Sequence, residues 1–173
     1  MFLVATMAGL LSDEADNGIW KGGKQMMYEG GIRVPTFAVW KNNIKANTQT
    51  THQALTMDLF PTFCEAAGVV IPKNIDGNSM LTTLMDKPQP ARDKETIWVR
   101  REGGITVGKN TTLFAGSWKI LQNTPFEPFQ LFDLSKDSLE TTDIKKANPS
   151  VFEDLQKKMR KHIQKAGAVP WQQ

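Results

Sequence analysis

The chain has 173 residues, 40% hydrophobic and 23% charged, the balance of an ordinary globular domain with a real core. Its 21 basic and 18 acidic residues leave a net charge of +3, too mild and too scattered to point to a nucleic acid. A single cysteine, Cys64, excludes a disulfide framework within the chain and a cysteine metal site, and no apolar run reaches the roughly 18 residues of a membrane span.

The chain opens with MFLVATMAGLL. It is apolar like the centre of a secretion signal, but no Lys or Arg precedes it. FLVAT therefore reads as a parallel core strand with neighbours on both sides, followed by a loop at Ala8-Gly9. A chain that opens in a core strand reads as part of something longer. LSDEADNGIWKGGKQ is polar and glycine-rich and reads as a long loop, a place where function concentrates. Asp13 and Glu14 read as a solvated pair. Around Lys24 stand two glycine pairs, Gly22-Gly23 and Gly30-Gly31. Glycine permits close backbone approach, and a lysine ammonium is a compact point charge suited to an oxyanion. An isolated GGK is equally an ordinary turn.

IRVPTFAVW, Ile32 to Trp40, is rich in β-formers and predicts a strand, with Pro35 at an edge or bulge. A loop with His52 follows. MDLFPTFCEAAG predicts a helix: Thr56 or Asp58 caps it, Pro61 falls in its first turn and Gly68 stops it. Leu59, Phe60, Phe63 and Ala67 form its expected buried face, and Cys64 reads as a small buried hydrophobe. A short helix is expected at Ser79 to Met85.

KPQPARDKE, residues 87 to 95, predicts a connector, dividing the chain into 1–86 and 87–173. TIWVRR, GITVG, TTLFAG, WKILQ and FQLFDL then predict a small antiparallel sheet. After Asn148-Pro149 a helix is expected, with Phe152, Leu155, Met159 and Ile163 as its apolar stripe and Gly167 as its stop. Lys157, Lys158, Arg160, Lys161 and Lys165 read as its solvated face, shared with His162.

The run from Gly23 to Pro35, GKQMMYEGGIRVP, resembles the G-K-x-x-x-Y-E-G-G-x-R-x-P pattern of the type I sulfatases, in the alkaline-phosphatase-like superfamily. TMDLFPTFCEAAGV is similar to the family's D-L-x-P-T-x-x-x-x-A-G helix, IDGNSM to its L-D-G-x-S-L turn, and GSWKIL and QLFDLSKDSLE to its W-K-L and L-Y-D-L-x-x-D-P-x-E segments. The ordered set covers nearly the whole chain and corresponds to the C-terminal part of such an enzyme. The resemblance implies an α/β chain: the end of an alkaline-phosphatase-like sulfatase core, then a small antiparallel sheet packed with a C-terminal helix. The implied activity is sulfuric ester hydrolysis of a sulfate ester or sulfated glycan, in a periplasmic or extracellular full-length protein.

By the same resemblance, Lys24 corresponds to the lysine that binds the sulfate and stabilises its charge, with Gly23 and the other loop glycines giving the backbone access to the anion. Tyr28, Glu29 and Arg33 are expected to fix the loop, Glu29 and Arg33 as partners. The family's C/S-x-P-x-R nucleophile motif is expected upstream. Cys64 precedes Glu-Ala-Ala-Gly, and PQPAR, residues 88 to 92, has proline in the nucleophile's place. The family's S-D-N-G, whose Asp and Asn bind Ca²⁺, gives way here to ATMAG, with Met7 and Ala8 at the ligand positions. Asp16-Asn17-Gly18 occurs nearer Lys24: either the loop has shifted and Asp16 and Asn17 bind the metal, or they form a plain turn. His52 and His162 match no family motif and are expected at the surface. The chain alone is expected to be inactive, with a missing N-terminal part as its partner. The alternatives are a non-catalytic module binding sulfated glycans and an inactive degenerate fragment.

Overall fold

A computed structural model describes residues 2–5, 16–92, 95–100, 110–124 and 126–167. The element order is β1 (Phe2–Ala5), α1 (Glu29–Ile32), β2 (Thr36–Val39), a 3₁₀ turn (Thr56–Asp58), α2 (Leu59–Ala66), α3 (Leu81–Leu84), β3 (Thr96–Arg100), β4 (Asn110–Ala115), β5 (Trp118–Gln122), β6 (Gln130–Asp133) and α4 (Pro149–Gly167). Contacts group these into two compact units. One holds the described residues of Met1–Thr6 and Pro35–Asp93, the other those of Met7–Val34 and Lys94–Gln173. The glycine-lysine loop is thus grouped with the C-terminal sheet. The segments holding Met7, Ala8, Asp13, Glu14 and GITVG lie outside the described residues.

In the first unit β1 is a strand as expected, but its pairing differs. It runs antiparallel to β2, Phe2 opposite Val39 and Ala5 opposite Thr36. A period-two run identifies a strand, whereas its direction is set by whichever strand lies beside it. β2 itself is shorter than the expected Ile32–Trp40, because Glu29–Ile32 close into a helical turn, with the Arg33 amide donating to the Glu29 carbonyl at 2.8 Å. Only after Pro35 does the chain extend.

Two motifs dock in this unit through buried polar atoms. The fully buried Asp58 carboxylate accepts the amides of Leu55 and Asn78, each at 2.8 Å, and pairs with Arg92. Its side chain is spent on these partners and does not cap α2. The Thr62 hydroxyl donates to the Asp58 carbonyl at 2.6 Å and accepts the Met80 amide at 3.0 Å. At Gly77 a Cβ would stand 2.1 Å from the Met57 carbonyl, so no larger residue fits against the helix. The connector is pinned as well: the Gln89 amide donates to the Ser79 carbonyl at 2.9 Å.

The expected buried face of α2 is not buried. Pro61 and Thr62 face inward, while Phe60 is 54% and Phe63 43% exposed, with Met57, Val69, Val70, Phe37 and Val39 also open to solvent. The apolar stripe is real, but nothing among the described residues covers it. Exposed apolar area on this scale marks an interface.

The second unit is layered. β3, β4, β5 and β6 form an antiparallel sheet in that order. Leu113, Ile120 and Leu131 lie side by side across it and pack on Leu155 and Met159 of α4, flanked by Phe152 and Ile163, as the helical stripe predicts. The next row, Phe114, Lys119 and Phe132, points to the opposite face. There Leu121 and Phe132 pack with Met27, Tyr28 and Ile32 of the loop. Both faces are therefore covered. On α4, Lys158 bridges Glu95 at 2.9 Å and Asp154 at 3.2 Å, as a solvated charged face does.

Two outcomes follow. The chain is expected to bind a fluorescent apolar-surface dye and to self-associate, and Phe60→Ser with Phe63→Ser to reduce both; a monodisperse, dye-silent wild type would contradict the uncovered face. Thr62→Val, isosteric but unable to bridge the Asp58 carbonyl and the Met80 amide, is expected to cost about 1–3 kcal/mol in chemical denaturation, and Thr62→Ser to cost much less.

Candidate functional site

The loop from Asn17 to Ile32 folds back on itself. A Cβ on Gly30 would stand 2.4 Å from the Gly22 carbonyl, and one on Gly31 2.2 Å from that of Met26 and 2.5 Å from that of Gly23. The second glycine pair therefore serves the contact between the two arms of the loop. Gly23 is buried, and its carbonyl accepts the Met26 amide at 3.0 Å. Lys24 stands at the exposed tip, without an ion pair among the described residues. The next residue, Gln25, has φ 85, a conformation that costs a non-glycine residue about 1–3 kcal/mol.

The same loop is tied to the sheet at several points. The Met27 amide donates to Asn123 Oδ1 at 2.7 Å, and the Tyr28 hydroxyl to Gln130 Oε1 at 2.6 Å. Lys21 reaches the Glu140 carbonyl at 2.8 Å and lies 4.3 Å from the Tyr28 ring centroid. Beneath the loop is a buried ion cluster. The Lys119 ammonium, 0% exposed, lies 2.9 Å from Glu29 Oε1 and 2.6 Å from Glu140 Oε1. Its stem sits in the Phe114–Phe132 row, the Nζ 4.9 Å from the Phe114 ring centroid. Glu140 Oε2 accepts the Glu29 amide at 2.7 Å. On the far side Glu29 Oε2 meets Arg33 Nε at 3.4 Å, and the Arg33 guanidinium stacks 4.0 Å from the Trp20 ring centroid. Two carboxylates and two cations balance.

Tyr28, Glu29 and Arg33 thus fix the loop, as expected, and Glu29 and Arg33 are partners. Lys119 and Glu140 carried no expectation of their own. The signal for Lys119 is a lysine inside an apolar strand, WKIL, whose neighbours leave it no solvated face. Asp16 and Asn17 shape a turn: Asp16 Oδ1 accepts the Gly18 amide at 2.6 Å, and the Asn17 amide donates to the Gly22 carbonyl at 3.1 Å. Ca²⁺ takes about six to eight oxygens, and among the described residues no three His, Cys, Asp or Glu side chains converge. The described residues do not by themselves fit the ion. His52, half-buried beside Arg92 and Asp58, is held below its ordinary value of 6.5, by burial first and then by the Arg92 charge. His162 is exposed on α4.

Burial pushes the Glu140 carboxyl above its ordinary value of 4.5, against the pull of Lys119. A folded value above the unfolded one means that this group favours the folded state fully below pH 4.5 and progressively loses that contribution as pH rises through the folded value. The difference in melting temperature between wild type and Glu140→Gln is therefore expected to shift toward the variant as pH rises from about 4.5. A flat difference across pH 4–8 would contradict the burial.

The sequence and fold are similar to those of known proteins. Residues 18–168 match the family described as N-sulphoglucosamine sulphohydrolase, C-terminal. The chain is 32% identical over 145 residues to arylsulfatase K of Mus musculus, covering 79% of this chain and 26% of that protein. It is 29% identical to steryl-sulfatase of Homo sapiens, covering 89% and 32% respectively. The crystal structure of Ps i-CgsB in complex with k-i-k-neocarrahexaose superposes with a TM-score of 0.78 at 29% identity, over 92% of this chain and 36% of the other. The chain thus spans about a third or less of the curated relatives' length. Given the matched span, the sulfatase relatives and the shared fold, the chain belongs to the N-sulphoglucosamine sulphohydrolase C-terminal family, within the sulfatases of alkaline-phosphatase-like fold.

Proposed function

We propose that this chain carries the sulfate-side loop of an enzyme that hydrolyses sulfate esters, with Lys24 as the residue that contacts the anion and buried Gly23 setting the backbone beside it. One observation carries this reading. Every other charged side chain of the Gly23–Pro35 run is engaged in the ion cluster, and Lys24 alone among them is exposed and without an ion pair among the described residues. A cation presented on a braced loop stabilises charge growing on sulfate oxygens at no cost of reorganisation. The nucleophile would come from outside these 173 residues, since Cys64 and PQPAR do not match the family's motif. Sulfated sugars suit the reading: one solved structure of the same fold, BT4656, is in complex with D-glucosamine-2-N,6-O-disulfate.

Calcium is what the family resemblance implies for a full-length protein, and it would supply positive charge there. Asp16 and Asn17 are the residues of this chain proposed toward it, and they fall short of a ligand set, so the stabilisation argued here is that of Lys24. A second reading, non-catalytic binding of sulfated glycans, rests on the retained Lys24 loop, and a third, an inactive degenerate fragment, on Met7 and Ala8 standing where the family has metal ligands.

These 173 residues alone are expected to show no aryl sulfatase turnover, with or without calcium; turnover abolished by a substitution in this chain would overturn the assignment of the nucleophile elsewhere. In calorimetric titration with sulfate, Lys24→Ala is expected to weaken binding about tenfold or more. Lys24→Arg is expected to restore it only in part, since a planar fork needs different geometry from a point charge. Lys158→Ala on α4 is expected to bind as wild type. If Lys158→Ala loses the binding and Lys24→Ala keeps it, the anion is held by a generic basic face.

A further inference from the structure

Glu140 is an unusual place for a glutamate. Its backbone has φ 56, in the left-handed region that glycine tolerates and a glutamate occupies only at a cost. Its side chain is fully buried, where an ionised carboxylate is disfavoured. Both penalties fall on one residue, and each of its oxygens is directed at the loop or at the lysine beneath it. Oε2 takes the Glu29 amide, Oε1 meets Lys119, and the carbonyl takes Lys21. Lys119 in turn holds Glu29, and Glu29 holds Arg33. Three separate segments, α1 with Glu29, β5 with Lys119 and the turn after β6 with Glu140, therefore meet at one point, at the base of the loop whose tip is Lys24.

We infer that Glu140, acting with Lys119, is a positioning residue for the Lys24 loop: it fixes the height and tilt at which that lysine is presented and so sets the affinity of the loop for an oxyanion. This rests on the reading of Lys24 as the sulfate-contacting residue. The inference separates two roles that a purely structural glutamate would merge. The hydrogen bond to the Glu29 amide needs an acceptor but no charge, whereas the ion pair with Lys119 needs the carboxylate.

Substitutions at Glu140, alone and in a Lys24→Ala background, test it by sulfate titration together with amide hydrogen exchange. Glu140→Gly suits the left-handed backbone and removes the acceptor. It is expected to weaken sulfate binding about tenfold and to accelerate exchange at the Glu29 amide while Ile120, in the sheet, stays protected. Glu140→Gln keeps an acceptor and is expected to bind within about threefold of wild type, a rescue that loss of general stability would not give. In a Lys24→Ala background, Glu140→Gly is expected to have no further effect on binding, since coupled residues fail to add. Wild-type affinity in Glu140→Gly, or an equal loss with and without Lys24, would overturn the inference. If Glu140→Gly loses protection at Ile120 as well, Glu140→Asn, which tolerates the same backbone and falls a methylene short of the Glu29 amide, is expected to give the same loss of binding, and wild-type binding there would overturn it. If wild type itself binds no sulfate, the reading of Lys24 fails; the positioning role is then decided by the Glu29 amide alone, supported by faster exchange in Glu140→Gly and overturned by an unchanged rate.

Discussion

The second unit depends on one ammonium group buried in a sheet. Lys119 has no solvent to turn to, and it lies between two carboxylates contributed by segments far apart in the sequence, Glu29 and Glu140. A buried ion set of this kind adds little net stability over an apolar replacement, but losing one member leaves an uncompensated charge and costs about 3–5 kcal/mol. Its physical effect is therefore specificity. The loop has one seat on the sheet, and a displaced loop would strand a charge. The apolar packing around the cluster, Met27, Leu121 and Phe132, supplies the burial, while the charges supply the register.

The first unit repeats this logic with a different set of atoms. Asp58 and Thr62 are spent on the amides of Leu55, Asn78 and Met80 and on Arg92. The five sequence segments that resemble sulfatases thus resolve into two buried polar junctions. The charged and hydroxyl residues at them are fasteners. What the fastening leaves exposed is Lys24 at the loop tip in one unit and the Phe60–Phe63 face in the other. Among the described residues Lys24 has no ion pair and the Phe60–Phe63 face has no cover, and both features look outward.

Much of this was legible in the sequence, and the failures are informative. The sheet strands, α4 with its Leu155–Met159 stripe, and α2 with its Gly68 stop follow from periodicity and punctuation, because those signals are local. The Phe60 and Phe63 stripe was legible too, yet its burial was not: periodicity reports which face is apolar and says nothing of whether these residues have a cover. Direction of pairing at β1 failed for a similar reason, since a strand's neighbours are not written in the strand. For Lys119 the sequence offered only that signal of a lysine among apolar neighbours, and the loop lying on that face is what makes it a buried charge. At the candidate site, Glu29 and Arg33 were expected as partners fixing the loop, whereas the contact of Glu140 needed the fold, being 111 residues from the amide it holds.

The central claim is that one lysine, held up by buried ion pairs that it does not share, meets the anion. The most direct measurement is side-chain NMR of the lysine ammonium groups during a sulfate titration. The account predicts a saturable shift at Lys24 Nζ, with Lys21 and Lys119 unmoved because they are committed to Glu140 and its neighbours. Shifts spread over Lys157, Lys158, Lys161 and Lys165 of α4, with Lys24 silent, would contradict it.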